Sequence, residues 1–147
     1  MKRDIFDKIM SLPVLRWFYK PYEKHKELLL YIFFGGLATV VSIGTFYLFD
    51  LILHELVANV LSWVITVGFA YATNRTWVFR SQVRGNGIWR EMLTFYTGRL
   101  ATLGLEEGIL LLFVTWLGWN AALVKIAAQV LVLIGNYIIS KLYIFKK

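Results

Sequence analysis

The sequence of 147 residues contains no cysteine, so neither a disulfide framework nor a thiolate metal site can be built from it. Its two histidines, His25 and His54, lie far apart and form no ligand cluster, and we predict no metal or other cofactor. It has only two prolines, Pro13 and Pro21, so no proline interrupts a helix beyond residue 21. Without a His or Cys site, or a carboxylate pair facing a water-filled cleft, the sequence does not favour an enzyme.

Apolar residues, in contrast, are abundant: 59% of the chain is hydrophobic and its mean hydropathy is +0.62. A soluble chain of this length could not bury so much apolar surface, so the solvent around it must be lipid. Four apolar segments are long enough for spanning helices, at about 28–53, 56–79, 92–117 and 120–145. We therefore predict an all-α, polytopic membrane protein with four transmembrane helices, over residues 28–147.

The N-terminal residues, 1–27, mix apolar and basic side chains and have a different character. Their pattern predicts an amphipathic segment that lies in the membrane interface, broken at Pro13 and ended by Pro21. A mobile tail is the alternative interpretation.

Basic residues predict the orientation of the four helices. Of the 16 lysines and arginines, 15 fall on one side of a four-helix arrangement, and the exception, Lys125, lies inside the fourth helix. Because positive charge is retained on the cytoplasmic side, both termini and the loop from Arg80 to Glu91 are predicted to be cytoplasmic. The net charge of +7 is thus explained as a topology signal of a plasma-membrane protein, and no nucleic-acid partner is expected.

The chain also carries an internal repeat. The stretch Asn74–Phe79 resembles Ser140–Phe145 at an offset of 66 positions, and the triplet Leu37–Thr39 recurs as Leu100–Thr102. Because each repeat unit contains two membrane-spanning helices, the chain returns to the same side of the membrane after the first unit. Both units therefore have the same orientation. We therefore predict two parallel helical-hairpin repeats, related by an axis along the membrane normal.

Five polar residues are predicted to lie at the level of the inner leaflet: Asn74, Arg75, Arg99, Asn136 and Lys141. Charged groups at this depth cost about 2.5–3.5 kcal/mol each on insertion scales, so each needs a reason. Their cations could neutralise a lipid phosphate, and their amides could bind phosphate or sugar oxygens. For Arg75 and Lys141 the alternative is simple anchoring, with side chains that extend to the membrane surface.

A strip of α-helix with Ala70, Asn74 and Val78 on one face has a small residue beside the asparagine. It could leave room for an acyl or prenyl chain, or it could serve close helix packing.

A second polar level, nearer the outside, is formed by Glu106, Glu107 and Lys125. A carboxylate and the ammonium could neutralise each other as a structural pair. Alternatively, Lys125 could receive a phosphate that has left the inner level.

These features together resemble the GtrA-like family of small four-helix membrane proteins, over about residues 28–145. The resemblance rests on Gly35-Gly36, on the stretch Asn74–Phe79, and on three polar residues that follow it: Arg99, Lys125 and Asn136. By position, the family's pattern falls on seven residues: Ala70, Asn74, Val78, Phe79, Arg99, Lys125 and Asn136.

The resemblance implies a function in a bacterial plasma membrane. Members of the family are implicated in moving polyprenyl-phosphate-linked sugars across the membrane for cell-envelope glycosylation. A similar variant supplies sugars for teichoic-acid decoration in Gram-positive bacteria. The implied partners are the lipid-linked sugar, membrane lipid, possible further copies of the chain and a membrane glycosyltransferase.

Two other functions are compatible with the residues alone. One is a proton-coupled exporter of the small multidrug resistance kind, which would need Glu106 or Glu107 as its membrane carboxylate. The other is a non-transporting membrane partner that recruits a glycosyltransferase.

Overall fold

The computed structural model describes residues 4–146, and within them the chain is helical, with no strand. Its helices are α1 (Ile5–Met10), α2 (Arg16–Asp50), α3 (Glu55–Thr73), α4 (Gly87–Leu110) and α5 (Ala121–Ile139). The last three continue into short π-helical segments at Asn74–Val78, Leu111–Trp116 and Ser140–Ile144. The prediction of an all-α protein is therefore confirmed.

Three of the long helices have the length and composition to cross a membrane: α2, α3 with its π-helical end, and α5 with its π-helical end. Helix α4 is of similar length but carries five charged side chains, at Arg90, Glu91, Arg99, Glu106 and Glu107. Large apolar side chains are exposed along all four long helices, as expected for surfaces that face lipid. The chain is thus a multi-pass membrane protein.

The predicted helix bounds agree best for the second and fourth apolar segments. Helix α3 with its π-helical end covers Glu55–Val78, and α5 with its end covers Ala121–Ile144. Helix α4 starts at Gly87, five residues before the predicted start at 92. Helix α2 begins at Arg16, well before the predicted start at 28.

The N-terminal segment is broken near Pro13, as predicted, because α1 ends at Met10 and α2 begins at Arg16. The prediction that Pro21 ends the segment is wrong. Helix α2 passes through this proline, and its backbone leaves helical angles only at His25 (φ −116°, ψ 21°). A proline removes one backbone donor and crowds the preceding turn, which kinks a helix without necessarily ending it.

Helix α1 is held against the start of α2 and the loop after α3 by its two aspartates. Lys26 Nζ lies 2.8 Å from Asp4 and 2.6 Å from Asp7, and Asp4 also pairs with Arg80. The Tyr22 hydroxyl donates to Asp7 at 3.3 Å. Burial acts to raise the pKa of Asp4, but the hydrogen bonds from Lys26 and the Asp7 backbone and the charges of Lys26 and Arg80 lower it to about 2. The boundary at residues 27 and 28 stays a prediction.

The helices associate in two pairs, because α2 packs along α3 and α4 packs along α5. Short connections join each pair, and the side chains of His54 and Asn120 cap the helices that follow them. In the second connection Gly118 has a φ of 68°, a conformation that favours glycine. The loop between the pairs, residues 79–86, brings α3 to the start of α4.

An aromatic cluster joins the two pairs where α3 and α5 end. Phe79 stacks on Phe145, with ring centroids 5.1 Å apart and planes within 12°. Tyr71 contacts Phe145 at 6.1 Å, and Tyr137 contacts Phe79 at 6.0 Å. In this cluster Tyr71 corresponds to Tyr137 and Phe79 to Phe145, in both cases at an offset of 66 residues. The π-helical segments at Asn74 and Ser140 begin at the same offset.

Helices α2 and α4 are matched at a different offset. Tyr31 lies 5.2 Å from Tyr137, and Phe95 lies 5.5 Å from Tyr71, so the equivalent positions are 64 residues apart. The two Leu-Ala-Thr triplets predicted 63, which is wrong by one residue. One residue turns an α-helix by about 100°, so the triplets do not occupy equivalent faces.

Candidate functional site

A cavity of about 480 Å³ lies among α2, α3, α4 and α5. Five of the predicted site or supporting residues line it: Ala70, Asn74, Arg99, Glu106 and Asn136. We call it the central cavity. Its other lining residues come from α2, α3 and α5: Tyr31, Phe34, Gly35, Ala38, Ser42, Trp63, Thr66, Val67, Gln129, Val132 and Leu133.

Arg99 brings the positive charge into this cavity. Its guanidinium carbon lies 4.7 Å from the centre of the Phe95 ring, a cation–π arrangement. Within residues 4–146, no carboxylate forms an ion pair with it. The planar guanidinium offers a fork of donors that suits phosphate oxygens. An anionic ligand would supply the counter-charge that this arginine lacks.

The two asparagines of the cavity differ in their hydrogen bonding. Asn136 is buried, and its Oδ1 accepts a hydrogen bond of 2.8 Å from the Thr102 hydroxyl. Asn74 is also buried, but its Oδ1 has no hydrogen-bond partner. Buried polar groups are almost always satisfied, so the unpaired carbonyl oxygen of Asn74 is unusual within residues 4–146.

Glu106 lies at one end of the central cavity and forms the predicted pair with Lys125. The ammonium of Lys125 donates to Glu106 Oε1, and Gln129 Nε2 donates to the same oxygen at 2.6 Å. The Glu106 side chain is 8% exposed, whereas that of Lys125 is 52% exposed. Glu107 is exposed on the surface of α4 and takes no part in this pair.

Arg75 does not reach the central cavity. Its Nε lies 3.2 Å from Glu91, its guanidinium donates to the backbone oxygen of Val83, and the Tyr71 hydroxyl donates to the same carboxylate at 3.0 Å. The Ser81 hydroxyl donates to the other carboxylate oxygen at 2.5 Å. These contacts fasten the end of α3 to the start of α4.

Lys141 occupies the matching place at the end of α5. It lies 2.9 Å from Glu27, and the Tyr137 hydroxyl donates to that carboxylate at 2.8 Å. This pair is more exposed than the Arg75 pair, and it borders a second cavity of about 470 Å³. Arg75 and Lys141 each pair with a glutamate of the other half of the chain.

The predicted common face of Ala70, Asn74 and Val78 is broken. Ala70 and Asn74 line the central cavity, but Val78 lines the second one. The helix changes from α to π at Asn74, and the wider turn rotates the residues that follow. Phe79 lies in the aromatic cluster and lines neither cavity.

The family follows from a comparison with known sequences. The family model described as "GtrA/DPMS, transmembrane domain" matches residues 30–145, which is most of the chain. The chain belongs to the GtrA/DPMS transmembrane family. The N-terminal helix α1 lies outside the matched range.

Relatives of this GtrA-family protein occur in Gram-positive species. It is 36% identical over 126 residues to the "Cell wall teichoic acid glycosylation protein GtcA" of Listeria innocua, covering 82% of this chain and 85% of that protein. The protein of the same name from Listeria monocytogenes serovar 1/2a is 34% identical over the same shares. The "Uncharacterized membrane protein YwcD" of Bacillus subtilis is 31% identical over 80% of this chain and 95% of that protein. No solved structure matches the chain.

Among the cavity residues of this GtrA-family protein that were not predicted, Thr66 is distinguished by the hydrogen bonding of its hydroxyl group. Thr66 lines the central cavity, and its Oγ1 is buried without a hydrogen-bond partner, like Oδ1 of Asn74. A signal for it exists in the sequence. The four-residue spacing that joins Ala70 to Asn74 gives Thr66 when it is extended toward the start of α3.

Proposed function

We propose that this protein carries a polyprenyl-phosphate-linked sugar from the cytoplasmic to the outer leaflet of a bacterial plasma membrane. The sugar would serve glycosylation of teichoic acid or of another cell-envelope polymer. Membership of the GtrA/DPMS family and the names of the Listeria relatives support the glycosylation role. Movement of the lipid-linked sugar is the finer part of the proposal, and it rests on the central cavity.

The observation that carries this proposal is Arg99. A guanidinium among transmembrane helices is expensive, and it is kept where it has a function. This one is packed on an aromatic ring inside a cavity and forms no ion pair within the described residues. One negative charge, such as that of a phosphodiester, would balance it. Asn74 and Asn136 lie in the same cavity and would bind phosphate or sugar oxygens.

The proposal includes four membrane crossings arranged as two parallel hairpins, with both termini in the cytoplasm. Helix α4, despite its charges, is the fourth crossing. In support, Arg99 and Glu106 both line the central cavity among the helices. The matched aromatic contacts and the matched π-helical ends support two equivalent halves.

The remaining site residues have separate parts in this proposal. Lys125 would meet the phosphate beyond Glu106, toward the outer leaflet. Arg75 and Lys141 would anchor the two helix ends through their glutamates instead of binding the substrate. A membrane glycosyltransferase that makes the lipid-linked sugar, and further copies of this chain, are the proposed protein partners.

The exporter alternative fits the structure less well. A proton-coupled exporter needs a carboxylate that is free to exchange its proton with a substrate. Glu106 is held by Lys125 and Gln129, and Glu107 is exposed outside the cavity. The arginine of the cavity also favours an anionic ligand over the cations that such exporters carry.

Purified protein in vesicles tests the proposal directly. The probe is citronellyl phosphoglucose, a short-chain, water-soluble isoprenyl phosphate sugar, and both its binding and its uptake are measured. Arg99→Ala should weaken binding by roughly 10- to 150-fold, since a hydrogen bond to a charged group contributes about 1.5–3 kcal/mol. Arg99→Lys should lose much of the same affinity, because lysine keeps the charge but not the planar fork.

Arg90→Ala is the matched control, since Arg90 is an exposed arginine of the same helix. It should bind and transport like the parent. If Arg99→Ala folds normally and binds the probe as tightly as the parent, the site is misplaced. If the parent binds the probe but does not move it, the non-transporting partner of a glycosyltransferase becomes the better interpretation.

A further inference from the structure

One wall of the central cavity is formed by a strip of α3 with Thr66, Ala70 and Asn74 at four-residue intervals. Such residues share one face of a helix, and eight residues cover about 12 Å along it. A small residue, Ala70, thus lies between two polar residues, Thr66 and Asn74. Arg99 and Glu106 line the same cavity from α4.

Both polar ends of the strip carry an oxygen that nothing in the described part of the chain satisfies. These are Thr66 Oγ1 and Asn74 Oδ1, the two buried side-chain atoms without a partner. Other hydroxyls of α3 behave differently. Thr73 donates to the backbone oxygen of Phe69 at 3.0 Å, and Ser62 donates to that of Ser42 at 2.7 Å. Unsatisfied polar atoms are therefore a property of this strip, not of the whole helix.

The chemistry of these atoms limits what can satisfy them. A carbonyl oxygen such as Asn74 Oδ1 only accepts hydrogen bonds, and a phosphodiester has no hydrogen to donate. A hydroxyl of a sugar can donate to Asn74 and can both donate to and accept from Thr66. Arg99, in contrast, only donates and suits the phosphate. The cavity thus has a phosphate side and a hydroxyl side.

Small rotations would present these atoms to a ligand. Both oxygens are sealed from water, so solvent does not satisfy them. In a helix, threonine divides between two χ1 rotamers, and rotation about χ1 moves its hydroxyl to a new position. Ala70, which lies between the two polar residues, has no atoms beyond Cβ and leaves room for a sugar ring.

From these observations we infer that Thr66 and Asn74 read the hydroxyl groups of the sugar. Through them the cavity would prefer a glycosylated isoprenyl phosphate to the bare phosphate. This inference rests on the proposed function and adds Thr66 to it as a specificity-determining residue. Arg99 provides affinity for either ligand, and the α3 strip distinguishes between them.

The test compares binding of two probes, citronellyl phosphoglucose and citronellyl phosphate, to the purified full-length protein. Thr66→Val keeps the shape of the side chain and removes the hydroxyl. It should weaken binding of the phosphoglucose about 5- to 10-fold and leave that of citronellyl phosphate unchanged. Because the hydroxyl has no protein partner, Thr66→Val should also unfold at the same temperature as the parent or higher.

Two further variants make the result specific. Ala70→Leu fills the strip and should also lose the phosphoglucose while it keeps citronellyl phosphate. Thr97→Val is the matched control, because Thr97 is exposed on α4 and donates to the backbone oxygen of Leu93. It should bind both probes like the parent.

The outcomes separate this inference from the function beneath it. If Thr66→Val binds both probes as the parent does, or loses both equally, the hydroxyl-reading role is rejected. The proposed function would still stand in that case, provided that Arg99→Ala loses both probes. If the parent itself binds neither probe, the proposed function fails and this inference fails with it.

Discussion

Replacement of Lys125 and replacement of Glu106 should have very different effects on the stability of the protein, although the two residues form one ion pair. The Glu106 side chain is 8% exposed and its oxygen is fixed by Lys125 and Gln129, whereas the Lys125 side chain is 52% exposed. Lys125→Met would leave a buried carboxylate without its cation. Glu106→Gln would leave an ammonium that can extend along its flexible stem toward a more polar region.

The magnitudes follow from this asymmetry. Removal of one partner of a buried ion pair typically costs about 3–5 kcal/mol, since it leaves a buried charge uncompensated. An exposed pair is worth about 0–1 kcal/mol. We therefore expect Lys125→Met to lower the free energy of unfolding by roughly 3 kcal/mol, and Glu106→Gln by about 1 kcal/mol or less. The double variant should recover most of the loss, because neither charge is then left alone.

The assay is a double-mutant cycle, with unfolding of the purified protein followed by circular dichroism. Glu107→Gln is the control, since the neighbouring glutamate is exposed and forms no ion pair with any residue of 4–146. If Glu106→Gln destabilises as much as Lys125→Met, the difference in burial does not govern the energetics. Transport by the same double variant is also informative. Full activity would leave Lys125 with a structural role only, and loss of activity in a stable protein would assign it a part in transport.

Two further predictions concern topology and the N-terminal helix. A cysteine at Asn86 should be protected from a membrane-impermeant maleimide in intact cells while one at Glu55 reacts, and the reverse pattern would overturn the orientation. The pKa of Asp4 is lowered from 3.8 to about 2. The ionised carboxylate therefore stabilises the folded state by roughly 2 kcal/mol above pH 3.8, and this contribution is lost as the pH falls toward 2. Hydrogen exchange of residues 5–10 relative to α5 should therefore rise over that interval, and Asp4→Asn should show fast exchange at neutral pH; slow exchange in that variant would contradict the reasoning.

Much of the helical framework could be predicted from the sequence because hydropathy and charge report directly on the lipid environment. The repeat of Asn74–Phe79 at Ser140–Phe145 also indicated equivalent helix ends, and the structure gives both the same π-helical form. The register of α2 against α4 could not be obtained in this way. It depends on which aromatic side chains meet, and Tyr31 and Phe95 differ in identity while the misleading triplets agree.

Some residues of the candidate site could be predicted from the sequence and others could not. Arg99, Asn74 and Asn136 stood out because polar groups at membrane depth are rare, and the structure places them in one cavity. Thr66 did not stand out, because a threonine in a membrane helix usually bonds its own backbone. Arg75 was predicted to bind the phosphate together with Arg99, but it pairs with Glu91 and does not line the central cavity. Such pairing depends on tertiary contacts that spacing alone does not reveal.

At the offsets of 64 and 66, small residues in one half of the chain correspond to larger polar residues in the other half. At an offset of 64, Arg99 is matched by Gly35 and Glu106 by Ser42, and at an offset of 66, Asn136 is matched by Ala70. The small residues Gly35, Ser42 and Ala70 line the central cavity together with their larger counterparts. Two copies of the first half would enclose space without charge, and two copies of the second would crowd charged groups together without space. The central cavity therefore needs one half of the chain for its space and the other for its charge, and neither half can replace the other.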